Sequence, residues 1–528
     1  MDGEITREAA RRRTFAIISH PDAGKSTLTE ALALHARTIG EAGVTHGKAG
    51  RKSTVSDWMD MEQERGISIS STALQLRYGD HVINVVDTPG HADFSEDTYR
   101  VLAAVDVAVM VLDATKGLET QTLKLFDVCR RSGIPVITVV NKCDRPGLDP
   151  LALMDEIEQR LGIVPTSLTW PVGDGSDFHA VIDRRIEQTI VYERTAGGAT
   201  IAGQRVVDDD TAAELLGAGW RTAREECDLL DAEDRDHDEE AFLAGLTTPV
   251  VFAASLLNFG VAQLLEVLVD VAPSPPARPD AAGERRPVDA PFSAYVFKRQ
   301  AGMDPAHRDH VAFARICSGV FHRGEVVEHA ATGRPFATKY AQSLFGRERS
   351  TADVAYPGDV IGLVNASGLR IGDTLRAKGE HVEFPPIASF APEHFATARS
   401  RDVSRSKQFR RGIDQLELEG VVQVLRSDVR GDQAPVLAAV GPMQFEVVAD
   451  RLTHDFGAEP SLDTLPYSVA RQVDPADRHL LAGLSGVETF DRGDGAVLAL
   501  FTDRWRVGSV ERANPDLVLE VLAADVGL

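Results

Sequence analysis

Between residues 14 and 145, short runs of consecutive apolar, β-rich residues alternate with stretches whose apolar positions recur at helical spacing. The runs at 15–19, 67–78, 81–87, 107–113 and 136–141 are expected strands. Strands separated by helices predict a largely parallel sheet covered by helices, in which ligands bind at the carboxyl ends of the strands. Between Gly40 and Gly66 the periodicity is weak over a span longer than an ordinary connection, which marks a functional or disordered loop. Residues 151–250 interrupt the alternation: 176–207 read as strand and turn, and 211–246 as helix. The stretch Ala272-Pro273-Ser274-Pro275-Pro276-Ala277-Arg278-Pro279 predicts a stiff, extended connector and a domain boundary. After it, short runs at 292–297, 310–318, 325–329 and 359–363, separated by glycine turns, suggest a small β-barrel. Residues 388–528 mix strands with helices. The expected divisions are 1–275 with an insert at about 165–248, a linker at 276–289, a barrel at 290–385 and an α+β region at 386–528.

Composition changes this picture only by exclusion. A chain of 528 residues exceeds one core, and about three domains is the expectation. The formal net charge of −24 argues against a protein held to nucleic acid by its overall charge, so any such contact needs a local basic patch or a protein intermediary. Cys129, Cys143, Cys227 and Cys317 lack metal-ligand spacing and suit packing roles in a reducing compartment. No run approaches the roughly 18 apolar residues of a membrane span. Residues 1–13 are charged and lack the apolar centre of a secretory signal, so the expectation is the cytoplasm and no membrane partner.

Chemistry concentrates at the ends of the predicted strands. The run at 15–19 leads into Ser19-His20-Pro21-Asp22-Ala23-Gly24-Lys25-Ser26-Thr27 and then a helical pattern. Strand, loop and helix in that order is the context of a phosphate-binding loop, whose N–H groups and helix N-terminus cradle phosphate oxygens. Lys25 would reach the β- and γ-phosphates and the Ser26 hydroxyl would sit on Mg²⁺. Ser19 stands where such loops usually begin with Gly. Ser68 offers a second hydroxyl to Mg²⁺; the plain alternative is a serine at a strand entrance. The strand at 81–87 delivers Asp87 to its end, where it can hold Mg²⁺ through a water, and Gly90 presents an N–H to a γ-phosphate. His91 follows, placed to orient the attacking water; the plain alternative is a surface histidine. The strand at 136–141 ends in Asn141-Lys142-Cys143-Asp144. Asp144 can accept hydrogen bonds from N1–H and N2–H₂ of guanine, which adenine cannot supply. Asn141 would tie this loop to the phosphate loop, and the Lys142 stem would lie along the base. Ala254-Ser255-Leu256 could close over guanine, with a backbone N–H near Ser255 contacting O6. These motifs together predict a GTP-binding domain.

Glu64-Arg65-Gly66-Ile67-Ser68, Asp87-Thr88-Pro89-Gly90-His91 and Asn141-Lys142-Cys143-Asp144 resemble the signatures of the translational GTPases. Most of that superfamily has Thr where this chain has Ser68. Ser68, the 19–25 loop, the insert before Asn258-Phe259-Gly260-Val261, and Gly441-Pro442-Met443-Gln444 with Gly420-Val421-Val422-Gln423 look like the bacterial class-II release factors. The resemblance runs from Ser19 to about Arg471. It implies an α/β P-loop GTPase domain with an inserted subdomain, followed by a β-barrel domain and an α+β domain. It also implies that Pro21 and Ile67 gate His91 and that Asp22 lies near the leaving phosphate oxygens. Ala254-Ser255-Leu256 departs from the family's usual Ser-Ala-Leu or Thr-Ala-Leu.

The implied activity is Mg²⁺-dependent hydrolysis of GTP to GDP on the ribosome at termination. It would promote dissociation and recycling of the stop-codon-reading class-I release factors after peptide release. Partners would be rRNA and ribosomal proteins, and a monomer is expected. Catalysis would rest on His91, Lys25 and Asp22, and with no internal arginine finger in view, stimulation would come from the ribosome. Two other readings stand: another translational GTPase, in translocation or ribosome rescue, and a GTP-gated ribosome-binding switch whose hydrolysis is incidental. The chain ends after the third region, where translocating factors of the G type carry further domains. Two surface features stay open. The acidic stretch with Glu225-Glu226-Cys227-Asp228 is a solvated face or a docking surface, and the run Arg399, Arg401, Arg405, Lys407, Arg410, Arg411 is a solvated helix or an RNA-phosphate contact.

Overall fold

The computed structural model describes residues 2–36, 62, 68–194, 200–233, 235–301, 310–345, 348–366, 368–387, 390–427, 430–431 and 434–522. Its first region runs α1 (Asp2–Ala10), β1 (Arg12–Ser19), α2 (Lys25–His35), β2 (Thr72–Tyr78), β3 (His81–Asp87), α3 (Ser95–Leu102), β4 (Val107–Asp113), α4 (Thr120–Arg131), β5 (Val136–Asn141), α5 (Pro150–Leu161) and β6 (Val164–Ser167). The side chains of β1 alternate between two cores. Ala16 and Ile18 join Val86, Met110 and Leu125 on one face, while Phe15 and Ile17 join Leu28, Val85, Val109 and Leu264 on the other. Burial on both faces is why these strands read as continuous apolar runs. Each large aliphatic side chain buried this way contributes about 1.5–3 kcal/mol.

The chain returns from its insert through β11, and the sheet order is β2–β3–β1–β4–β5–β11–β6, where β11 is Thr247–Phe252. All neighbours in it are parallel except β2 with β3. Parallel pairing brings the ends of β1, β3, β4, β5 and β11 to one edge: Asp87 is in register with Ile17, and Asp113 with Asn141. The expected strand at 67–78 begins only at Thr72. The N–H groups of Ile69 and Ser70 donate to Glu62 Oε1 and that of Ser71 to Asp97 Oδ2, so side-chain carboxylates occupy donors that a longer ladder would need.

The insert is a four-stranded antiparallel sheet of β7 (Thr169–Val172), β8 (Ala180–Asp183), β9 (Gln188–Tyr192) and β10 (Gln204–Val207), with α6 (Asp209–Ala232) and α7 (Glu239–Leu243). The acidic helix α6 buries Ala212, Trp220, Ala223, Cys227 and Leu230 and turns Glu225 and Asp228 outward. Glu226 instead accepts from Trp170 Nε1 at 2.7 Å. The four cysteines are free and buried, and burial pushes the thiols of Cys129, Cys143 and Cys227 up to about 12, which keeps them protonated in their packing positions.

Following α8 (Val261–Asp270), residues 273–277 form neither helix nor strand and lead into a short hairpin. β12 (Arg278–Pro279) pairs with β13 (Arg285–Arg286), because Asp280 Oδ1 accepts the N–H groups of Ala282 and Glu284 and folds the chain back. The second region is antiparallel, built on β14 (Ser293–Ala301) and β15 (His310–Ser318), and Phe345 pairs with Leu74 of β2, so its strands continue the first sheet. The third region is a seven-stranded sheet carrying α9 (Ser406–Glu419) and α10 (Met443–His454). Val448 and Leu452 of α10 pack on Ile413 and Leu416 of α9.

The turn Pro357-Gly358-Asp359 clasps the first region. Gly358 O accepts from Thr14 Oγ1 and Asn84 Nδ2, and Asp359 pairs with Arg12 at 2.9 Å. Arg315, 1 % exposed, donates from Nη2 to both oxygens of Asp106 at 2.7 Å and from Nη1 to Ala104 O at 2.6 Å. Replacing Arg315 with Met would strand a buried carboxylate, so thermal or urea denaturation should show a loss of about 3–5 kcal/mol. A loss below about 1 kcal/mol would mean that solvent reaches Asp106.

Candidate functional site

The site begins where β1 stops. Asp22 and Gly24 both take positive φ, +65° and +101°, and wrap the loop His20–Gly24 under the N-terminus of α2. No side chain caps that helix, and an uncapped helix N-terminus is a place where anions bind. A Cβ on Gly24 would lie 2.5 Å from Asn141 Nδ2, a close approach that requires glycine. Lys25 Nζ donates to Ser19 Oγ at 3.0 Å, so the serine in the place of the usual glycine holds the ammonium inside the loop. His20 turns away: its N–H donates to Thr122 Oγ1 and its ring Nε2 lies 3.3 Å from Glu119, near the start of α4. Thr27 lies in the first turn of α2.

Segments far apart in the chain converge on this loop. Ser26 Oγ and Ser68 Oγ are 3.4 Å apart. Asp87 is buried at the end of β3. Two hydroxyls and a carboxylate are hard oxygen donors of the kind that suits Mg²⁺. A Cβ on Gly90 would meet Lys25 Nζ at 2.3 Å and Pro21 Cα at 3.4 Å, so the chain leaving β3 crosses the phosphate loop in close contact. His91 is 35 % exposed; its Nδ1 accepts from Asp93 N–H at 3.3 Å and its ring lies 6.2 Å from that of Phe94. Among the described residues no hydrogen bond joins His91 to the phosphate loop. Asp93 Oδ2 in turn accepts from Met443 N–H at 2.8 Å, at the start of α10. The expected signature Glu64-Arg65-Gly66-Ile67, and with it the gate at Ile67, lies outside the described residues.

At the other end, Asn141 joins three segments. Its Nδ2 donates to Ala23 O at 2.9 Å, and its Oδ1 accepts from Ser255 N–H at 3.0 Å and Ser255 Oγ at 2.7 Å. The expected tie between the base loop and the phosphate loop is therefore present. Lys142 Nζ donates to Asp22 O and to Asp113 Oδ2, the latter at 2.7 Å. Asp113 is missing from the sequence-based site, although it ends β4 between two strands that also end in site residues. Burial works against its charge, but the hydrogen bonds from Lys142 and Thr115 outweigh that and hold its carboxyl below the usual range. Asp144 is half-buried and has no side-chain hydrogen bond among the described residues. The Ser255 N–H is committed to Asn141, whereas the Leu256 N–H makes no hydrogen bond among the described residues and its side chain is 55 % exposed.

Known proteins align with the whole arrangement. The profile described as "Elongation factor Tu GTP binding domain" matches residues 10–274, "Elongation factor G domain 2" matches 291–378, and "Class II release factor RF3, C-terminal domain" matches 384–511. The peptide chain release factor 3 of Synechococcus elongatus is 45 % identical over 525 residues, covering 98 % of this chain and 94 % of that one. The peptide chain release factor 3 of Symbiobacterium thermophilum is 45 % identical over 526 residues, covering 98 % and 99 %. A crystal structure of a protein from Thermus thermophilus shares the fold, with a TM-score of 0.70 at 22 % identity over 92 % of this chain and 72 % of that one.

Proposed function

The chain belongs to the peptide chain release factor 3 family, translational GTPases acting in termination, and from that premise we propose that it drives the stop-codon-reading class-I release factors off the ribosome after peptide release and hydrolyses GTP to leave. The observation that carries this reading is the path of residues 90–93. Gly90 lies against Lys25 in the phosphate loop, and Asp93 holds the N-terminus of α10 in the region matched by the release-factor profile. A change at the γ-phosphate thereby has a direct mechanical route to the part of the chain that marks the family.

In this reading the N-terminus of α2 and the Lys25 ammonium, moving off Ser19, take the β- and γ-phosphates. Ser26, Ser68 and Asp87 would hold a Mg²⁺ ion, which when bound supplies charge neutralisation at those phosphates. His91 turns from Asp93 to orient the water that attacks the γ-phosphate, while the Gly90 N–H registers the third phosphate. Asp22 stands beside the leaving oxygens. Asp144 reads the guanine edge, the Lys142 stem lies along the base, and the Leu256 N–H meets O6, with Ser255 positioning Asn141. No arginine hydrogen-bonds to the phosphate loop among the described residues, so intrinsic hydrolysis is slow and the ribosome supplies the missing stabilisation of charge.

The protein acts as a monomer in the cytoplasm, with the divisions 1–275, 290–385 and 386–528 as its moving parts. Among the described residues no helix is long and apolar enough to cross a membrane. In the basic run, Arg399 and Arg401 pair with Asp463 and Glu459. Arg405, Lys407, Arg410 and Arg411 are exposed with no ion-pair partner among the described residues. On a chain of net charge −24 these four are the surface offered to rRNA phosphates.

The test is multiple-turnover peptide release from stop-codon complexes with limiting class-I release factor. The protein with GTP should accelerate every round after the first and leave the first unchanged. Acceleration of translocation instead would move the protein to another branch of the superfamily.

A further inference from the structure

Side chains, not a strand ladder, hold the residues that follow Ser68. The N–H groups of Ile69 and Ser70 donate to Glu62 Oε1, and that of Ser71 donates to Asp97 Oδ2. A further hold comes from the second region. Lys298 of β14, 4 % exposed, donates from Nζ to Ser70 Oγ at 2.6 Å, to Ser71 Oγ at 2.9 Å and to Ser71 O. An ammonium has three donors, and all of them go to Ser70 and Ser71. Asp97 lies 3.8 Å away and pairs with the same ammonium. Burial works against the Asp97 charge, but Lys298 and the Ser71 N–H hold its carboxyl below the usual range.

The backbone is shaped to aim this lysine. Val296 and its cross-strand partner Ala314 face the barrel core. In a regular strand Lys298, two residues on, would share that face. A register shift between Val296 and Lys298 sets Lys298 opposite Phe313 instead. Phe313 joins the core that holds Ala16 and Val86 of the first region, and Lys298 Nζ lies 5.7 Å from the centre of its ring. Re-aiming a side chain in this way is what a bulge does. Docking of the two regions already has its own cation, Arg315, which grips Asp106 just before β4. Lys298 points instead at the irregular segment before β2, close in the chain to the Ser68 hydroxyl that lies 3.4 Å from Ser26.

We infer that Lys298 is a positioning residue for the metal site: by fixing Ser70 and Ser71 it sets Ser68 where its hydroxyl can reach a Mg²⁺ ion shared with Ser26. The inference rests on the reading of Ser68 as a ligand of that ion. A ligand must be held within about 0.5 Å of its productive place, so the seating of the second region tunes the grip on nucleotide. The effect belongs to GTP, because contacts of such a segment to the γ-phosphate and its Mg²⁺ are released on hydrolysis.

The experiment is equilibrium binding of a fluorescent non-hydrolysable GTP analogue, and of fluorescent GDP, to the full-length protein titrated with Mg²⁺. Lys298→Met should raise the free Mg²⁺ needed for half-maximal analogue binding about tenfold, the scale of losing a group that orients a metal ligand. GDP binding should stay within about twofold. The double variant Ser70→Ala, Ser71→Ala removes both hydroxyl acceptors, should shift analogue binding in the same direction, and serves if Lys298→Met does not fold. In a Ser68→Ala background Lys298→Met should add nothing, because its effect runs through that hydroxyl. Additive losses, or equal loss of analogue and GDP in both variants, would reduce Lys298 to a docking residue and overturn the inference. Analogue binding unchanged in both variants but impaired by Ser68→Ala would overturn it while leaving Ser68 at the metal. A Ser68→Ala variant with unchanged Mg²⁺ dependence would overturn the reading of Ser68, and the inference with it.

Discussion

Asp144→Asn is expected to weaken GTP binding by about 10²–10⁴-fold and to shift preference to xanthine nucleotides. Two charge-assisted hydrogen bonds from N1–H and N2–H₂ are lost, each worth about 1.5–3 kcal/mol. Xanthine carries an oxygen where guanine carries the amino group, so the Asn amide can donate where the carboxylate could only accept. The structure supports the assignment in one respect: Asp144 is half-buried with no side-chain hydrogen bond among the described residues, while its neighbours Asn141 and Lys142 are fully engaged in holding the loop. Competition binding with GTP, XTP and ATP measures the effect. A variant that keeps its preference for GTP would remove Asp144 from the base site.

His91→Ala is expected to cut ribosome-stimulated GTP hydrolysis by about 10²–10⁴-fold, the usual scale of a positioned group acting on the attacking water. Nucleotide affinity should stay within about threefold, because among the described residues the ring makes no hydrogen bond to the phosphate loop and caps only Asp93 N–H. Single-turnover hydrolysis on stop-codon complexes, beside equilibrium binding of a GTP analogue, separates the two. In the recycling assay the variant should complete one round and then stall on the ribosome. Continued recycling through many rounds would show that switching suffices and that hydrolysis is incidental.

The sequence carried the nucleotide end of the fold because the relevant signals are local. The runs at 81–87, 107–113 and 136–141 coincide with β3, β4 and β5, since strands buried on both faces are uninterrupted and end abruptly at Asp87, Asp113 and Asn141. The meeting of Asn141 with Ala23 follows once those strands are parallel, whereas that of Ser26 with Ser68 needs β2 antiparallel to β3, which sets Thr72 beside Asp87. What escaped is long-range. The strand expected from 67 is cut short by carboxylates of Glu62 and Asp97. Asp113 needed Lys142, 29 residues away, to show its role. Which N–H is left for O6 depends on Asn141 having taken that of Ser255. The turn at Gly358 reads as an ordinary barrel turn until Thr14 and Asn84 are seen donating to its carbonyl. Just beyond the proline-rich connector, one carboxylate at Asp280 decides that the chain doubles back.

The central claim, a GTPase whose missing catalytic element is the ribosome, is tested most directly by steady-state turnover of the wild-type protein with and without bacterial ribosomes, using GTP and ATP. The account predicts slow GTP hydrolysis alone, strong stimulation by ribosomes and no turnover of ATP in either case. Equal GTP hydrolysis with and without ribosomes would contradict it.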